Sequence, residues 1–232
     1  MRTKKKVVAN WLKMGISGPT GAGKTRTALT IAEALGKDVW LIDSEFHRSR
    51  YYGKAFDFTP VYLDGNYSAE RYVKAIEEAE DGGCDFLIVD SMTPNWQGTG
   101  GILELVDAAA KQDHSGNKFA GWKEGGEACN RLVGRIMGAA CHTICTFQAK
   151  MEYVLEQVNG KMVPRKKGLA PIHRETTSYA FPMFAEIDAD HCLIFAQVLG
   201  KGGVTDELRE EIWRNPGKEL IGKIQEWLEE IE

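Results

Sequence analysis

Residues 18–25 read Gly18-Pro19-Thr20-Gly21-Ala22-Gly23-Lys24-Thr25, a fit without mismatch to G-x-x-x-x-G-K-[ST]. Each residue type has a task in holding a chain of phosphates. Glycines let backbone N–H groups wrap the anion, and the positive end of a following helix adds to them. The lysine reaches the β and γ oxygens, and the threonine hydroxyl holds Mg²⁺. From average residue usage, the pattern arises by chance in roughly one chain in a hundred of this length. The cofactors it implies are ATP, or a related triphosphate, and Mg²⁺.

Two acidic strand ends add chemistry to the loop. Asp90 closes "FLIVD", four apolar residues and an acid, the pattern of a Mg²⁺-side carboxylate in a P-loop NTPase. Glu45 follows "LIDS", where a carboxylate could take a proton from water attacking the γ-phosphate. The alternative for Asp43 and Glu45 is a pair of solvated turn residues. Five histidines are scattered without an i, i+4 pair or H-E-x-x-H, so a zinc enzyme has little support. Five cysteines form no C-x-x-C pair and read as reduced, mostly buried thiols.

Taken together, "LIDSE", "FLIVDS" and "HTICTFQAKM" resemble three landmarks of RecA-like recombinase ATPases, in the same order and at similar spacing. The resemblance implies Glu45 as catalytic base, Asp90 as the Mg²⁺ acid, and Gln148 as a γ-phosphate sensor opening a DNA-binding loop. It covers about residues 12–200. The long N-terminal oligomerising region of that family is reduced here to about a dozen residues, and the second loop carries a long hairpin. The chain is therefore most similar to the short, core-only RecA-like ATPases of bacteriophages, AAA-family proteins that include single-strand-annealing partners. Such proteins work as homo-oligomers with the ATP site at a subunit interface, completed by a neighbour's basic residue. Arg165, Lys167 and Arg174 are the candidates for that residue.

Net charge is −4, so any nucleic-acid site must be a local patch. Residues 149–175 provide one. Lys150, Lys161, Arg165, Lys166, Lys167 and Arg174 face only three acids there, and Tyr153 and Tyr179 could stack on bases. A solvated hairpin or a subunit contact is the alternative. The stretch 111–123, with three lysines and two aromatics, and the N-terminal Arg2, Lys4, Lys5 and Lys6 are weaker DNA candidates. Three functions remain open: a single-stranded-DNA-dependent ATPase in phage recombination, annealing or replication; a P-loop kinase of a nucleotide or other small molecule; and a nucleotide-gated assembly module with little turnover.

Elements must position these residues. Strands are predicted at 14–17, 38–45, 60–65, 84–91 and 142–148, separated by helices at 25–35, 69–80, near 102–111 and at 122–140, with Ser68 capping the second helix and 114–121 a loop. Strands alternating with helices predict an α/β fold, a mostly parallel sheet flanked by helices. Asn159-Gly160 predicts a hairpin turn, "AEIDADHCLIFAQVL" two further strands, and the end two helices broken at Asn215-Pro216-Gly217. The expected organisation is a basic tail at 1–12, a RecA-like core at 13–204 and a C-terminal helical segment at 205–232. The 232 residues contain no apolar run of about 18 residues and no signal-peptide pattern. A cytoplasmic protein is expected, in the host cytoplasm if phage-encoded, with no membrane partner.

Overall fold

The computed structural model describes residues 10–112, 118–158 and 161–231, with the side chains of 118–120 and 153–167 outside the description. The strands are β1 (Lys13–Gly18), β2 (Val39–Asp43), β3 (Thr59–Tyr62), β4 (Phe86–Asp90), β5 (His142–Val158), β6 (Lys161–Pro171), β7 (Met183–Ile187), β8 (Cys192–Val198) and β9 (Trp213–Arg214). The helices are α1 (Lys24–Leu35), α2 (Ala69–Asp81), α3 (Thr93–Gln97), α4 (Ile102–Gln112), α5 (Lys118–Gly138), α6 (Gly203–Glu210) and α7 (Lys218–Glu230). The sheet order is β3-β2-β4-β5-β1-β7-β8-β9, with β6 paired to β5. Pairs from β3 through β7 are parallel. The β7–β8, β8–β9 and β5–β6 pairs are antiparallel.

Near-continuous apolar strands such as "FLIVD", every residue buried, belong to a sheet covered on both faces. Alternate side chains of the central strands feed two cores. Met14, Ile16, Leu41 and Ile88 pack with α1, α6 and α7 through Leu29, Leu208, Ile224 and Trp227. Ile42, Leu87, Val89 and Phe147 pack with α2, α4 and α5 through Tyr72, Ile76, Val106 and Leu132. The C-terminal helices thus cover the face that α1 begins to cover. Among the described residues no helix is long and apolar enough to cross a membrane.

The predicted alternation and the two arms of the hairpin are present, with differences in detail. The stretch 118–121 falls in α5 rather than in a loop, while 113–117 lies outside the described residues. Ser68 stands at the α2 N-cap but its side chain makes no cap bond; its own N–H instead donates 2.9 Å to Asn66 Oδ1, an Asx turn that sets the helix entry. The one-turn helix α3 and the two-residue β9 had no periodicity to betray them. The Asn159-Gly160 turn and residues 1–9 of the basic tail lie outside the described residues, while Leu12, at the end of the expected tail, is buried in the core.

Candidate active site

The loop between β1 and α1 is shaped by its glycines. Gly23 has φ +101°, a region that side-chain-bearing residues rarely adopt. A Cβ on Gly18 would lie 2.3 Å from the Ile187 carbonyl of β7, so only glycine lets the loop leave the sheet there. Lys24 opens α1 and is buried. Its ammonium donates 2.9 Å to the carbonyls of both Gly18 and Pro19, bonds that a swing of the side chain can exchange for phosphate oxygens. Burial pulls its pKa below the usual lysine value, and the Asp90 and Glu45 carboxylates oppose that shift.

The site is assembled by register. Asp43 and Asp90 are cross-strand partners at the ends of β2 and β4, and Gly18 pairs with Gln148 on β5. All the acidic candidates therefore reach the same sheet edge as the loop. Thr25 Oγ1 donates 2.7 Å to Asp90 Oδ2, and Thr146 Oγ1 donates a very short bond to Asp90 Oδ1. Asp90 is only 4% exposed. Burial, and then the negative Glu45, push its pKa up to about 6, against the two hydroxyl bonds and Lys24 that lower it. A buried carboxylate beside a threonine hydroxyl is an incomplete oxygen shell, which suits Mg²⁺ because that ion uses one or two protein oxygens and completes its shell with phosphates and water. Among the described residues no group of three or more His, Cys, Asp or Glu gathers as a self-sufficient metal site. Thr25 and Asp90 are thus the residues fitted to hold Mg²⁺ with a nucleotide.

Glu45 is held from three sides. Gln148 Nε2 donates 2.7 Å and Ser91 Oγ 3.1 Å to its Oε1, while Arg48 reaches Oε2 at 3.3 Å. Its backbone is placed by Asp43, which accepts 2.8 Å bonds from the N–H groups of Glu45 and Ser49. Asp43 is 2% exposed, so the solvated-turn alternative fails for it: this carboxylate organises the turn that carries Glu45. The turn contains two successive left-handed residues, Phe46 and His47, and His47 is fastened outside by Asp64 at 2.8 Å and by stacking on Tyr62. Ser44 Oγ donates to the Ser91 carbonyl and accepts from the Ser91 N–H, tying the ends of β2 and β4 together. Tyr72, from α2, donates to the same carbonyl at 2.9 Å.

Gln148 stands where β5 changes role. Up to this residue β5 pairs in parallel with β1; from Ala149 onward it pairs antiparallel with β6. Its N–H donates to Thr93 Oγ1 and its carbonyl accepts from the Ile172 N–H. The sensor candidate is therefore the root of the hairpin and a partner of the candidate base. Of the DNA candidates, Lys150 is exposed on β5 beside this root, and Arg174 donates 3.0 Å to Asn130 of α5. Lys161, Arg165, Lys166 and Lys167 lie on β6, their side chains outside the described set, as is that of Tyr153; Tyr179 is exposed.

The sequence reading passed over several members of this network. Thr146 had a signal, a polar residue inside an apolar strand. Ser44, Tyr72 and Thr93 had none, since their role depends on which strand ends become neighbours. His191 is a further surprise: it bonds the Ala22 carbonyl of the loop through Nδ1 at 2.8 Å. No curated protein matches the sequence. A family model for the AAA domain matches residues 10–186, from before β1 into β7. That span contains the phosphate loop, Glu45, Asp90 and Gln148, and with it the chain belongs to the AAA-domain family of nucleotide-binding P-loop ATPases.

Proposed function

We propose that the chain is a Mg²⁺-dependent RecA-like ATPase acting on single-stranded DNA in phage recombination, annealing or replication. The hairpin of β5 and β6 is its nucleic-acid arm, and a neighbouring copy completes the ATP site. The observation carrying this reading is the 2.7 Å bond from Gln148 to Glu45, because it joins the hydrolytic carboxylate to the root of the basic arm. Bound Mg²⁺ would neutralise phosphate charge. Lys24 offers a second positive charge, Glu45 accepts the proton of the attacking water at a carboxylate oxygen, and Ser91 with Gln148 fixes the direction of that oxygen. An orienting network around a carboxylate base favours hydrolysis over transfer to a small-molecule acceptor, which argues against the kinase alternative.

The test measures phosphate release with and without single-stranded DNA, in the wild type and in a variant with Lys161, Arg165, Lys166 and Lys167 all neutralised. DNA stimulates the wild type. The variant binds DNA more weakly at all sequences, and its salt slope falls by up to about 0.7 per lost phosphate contact. Unaltered DNA affinity and slope would remove the hairpin from the DNA site. Absence of any DNA stimulation would leave a plain ATPase.

A further inference from the structure

The sheet edge opposite the one that carries Gly18, Asp90 and Gln148 gathers three thiols near a buried ammonium. Cys84 lies just before β4, Cys141 just before β5, and Cys145 inside β5; all are free. We propose that Cys84 and Cys141 form a peroxide-sensitive dithiol, a site of oxidative modification that closes into a disulfide and staples β4 to β5. The site is separate from the phosphate loop and does not depend on the nucleotide reading.

The backbone brings the two residues together. β4 and β5 are parallel neighbours with Phe86 opposite His142, and the His142 N–H donates 2.9 Å to the Asp85 carbonyl. Each cysteine directly precedes one member of that bonded pair. With strands about 4.8 Å apart and an offset of one residue, about 3.3 Å, their Cα atoms stand about 6 Å apart, inside the window a disulfide spans. Both side chains enter the core that holds Leu87 and Cys145, and the two thiols are hydrogen-bonded to each other. Cys84 is also fixed from behind: its N–H donates 3.0 Å to the Ala79 carbonyl of α2. Cys84 is 7% exposed and Cys141 fully buried, so the oxidant must be small. Gly82, Gly83 and Ala140, the residues next to them in the chain, are all exposed, which leaves only a thin skin to cross.

The surroundings make Cys141 the nucleophile. Lys13 opens β1 and is buried. Its ammonium donates 2.8 Å to the Ala139 carbonyl and 2.9 Å to both the Cys141 carbonyl and Thr143 Oγ1, so all three of its hydrogens meet acceptors. Thr143 Oγ1 in turn lies 3.8 Å from Cys141 Sγ. The bond from Cys84, then the Lys13 charge and the Thr143 hydroxyl, bring the Cys141 thiol down to about 7 against the burial that raises it. The same bond, and burial, push the Cys84 thiol up. One thiolate beside one thiol is the arrangement that a two-step oxidation uses. Burial pushes the Cys145 thiol up, which leaves it unreactive.

In the first step the Cys141 thiolate attacks hydrogen peroxide. An S–O bond forms, the O–O bond breaks, and the released hydroxide takes up a proton to leave as water. Cys84 then attacks the sulfenic sulfur. The S–S bond forms, the S–O bond breaks, and the departing hydroxide carries off the Cys84 proton as a second water. Two thiols have lost two electrons to one peroxide.

The test adds hydrogen peroxide to the folded protein, blocks the remaining thiols, and maps the digest without reductant. The expected map shows a loss of about 2 Da, two hydrogens, and a Cys84 peptide joined to the peptide that holds Cys141 and Cys145, with fragment ions placing the bond at Cys141. The Tm rises by roughly 4–16 °C, the range for one disulfide in a domain of this size, and returns with dithiothreitol. Cys84→Ser and Cys141→Ser each lose the joined peptide and the rise, while Cys192→Ser, which removes the least buried thiol, keeps both. The wild-type map decides the matter even where a serine variant fails to fold. Cys84 and Cys141 both still reduced once Cys192 is oxidised would overturn the proposal. So would a bond from either of them to another cysteine, a Cys84–Cys141 bond that leaves the Tm unchanged or lower, or a rise that survives either serine substitution.

Discussion

Replacing Asp90 by asparagine should stabilise the protein without ligand while damaging its function. Asp90 is 4% exposed and its pKa rises from 3.8 to about 6, chiefly through burial. Between those values the folded chain holds a proton that the unfolded chain has released, so stability falls as pH rises through the window. Below it both states are protonated and the cost vanishes; above about 6 the cost is complete. A rise from 3.8 to about 6 corresponds to ~3 kcal/mol at 1.36 kcal/mol per unit. Asparagine removes the buried charge and keeps the shape, and the Thr25 and Thr146 hydroxyls can rotate to bond either amide atom. Differential scanning calorimetry of ligand-free Asp90→Asn should give a Tm above wild type by roughly 6–12 °C at pH 8, using about 2–4 °C per kcal/mol for a domain of this size. The gap should close as pH falls toward 4, where the wild-type Asp90 is itself protonated and carries no buried charge. A variant no more stable than wild type at pH 8, or a gap independent of pH, would refute the reasoning. Mg²⁺-dependent ATP binding should fall in the same variant if Asp90 holds the metal as proposed, a trade of function for stability.

Two other substitutions probe the parts of the site separately. Lys24→Ala should lose most ATP affinity in calorimetry while circular dichroism stays unchanged, because among the described residues its ammonium bonds only the carbonyls of its own loop. Glu45→Gln should retain ATP binding, since the amide can still accept from Gln148 and Ser91, yet lose about 10²–10⁴-fold in steady-state phosphate release, the usual contribution of a positioned base.

Much of this was legible before the fold because it resides in short runs. The eight residues from Gly18 to Thr25 specify their own backbone, and the apolar runs ending in Asp43 and Asp90 announce buried parallel strands. Once such strands lie side by side, their last residues meet at one edge, so Glu45, Asp90 and Gln148 converge without further information. What the runs do not encode is which neighbours their ends acquire. Asp43 reads as a turn residue in the sequence, yet its two backbone bonds make it the support of Glu45. Ser44 and Ser91 are ordinary serines until β2 and β4 pair in register. His191 reaches Ala22 across 169 positions of chain, a distance no periodicity spans. The role of the C-terminal helices was hidden for the same reason: nothing in the run of the last helix says that its Ile224 and Trp227 share a core with α1.

The geometry at Gln148 gives the proposed coupling a mechanical form. One residue is bonded to the candidate base by its side chain, to Thr93 by its N–H and to Ile172 by its carbonyl. Residues 149–158 of β5 continue past it as one arm of the hairpin, an arm of roughly 33 Å at about 3.3 Å per residue. A tilt of about 6° at the root would carry the far end of such an arm through about 3 Å, enough to make or break contacts to a nucleic-acid backbone. A change in nucleotide state can drive that tilt only if it alters a contact unequally in two states, and the Glu45–Gln148 bond is the contact placed to be altered. In the proposed reading, a proton taken up by Glu45 would weaken its bond to the Gln148 amide, leaving the root held only by the backbone bonds to Thr93 and Ile172 among the described contacts and so freer to tilt. On that reading the candidate base and the candidate sensor would be coupled through one bond, and the 3.1 Å bond from Ser91 would keep Glu45 oriented once Gln148 lets go.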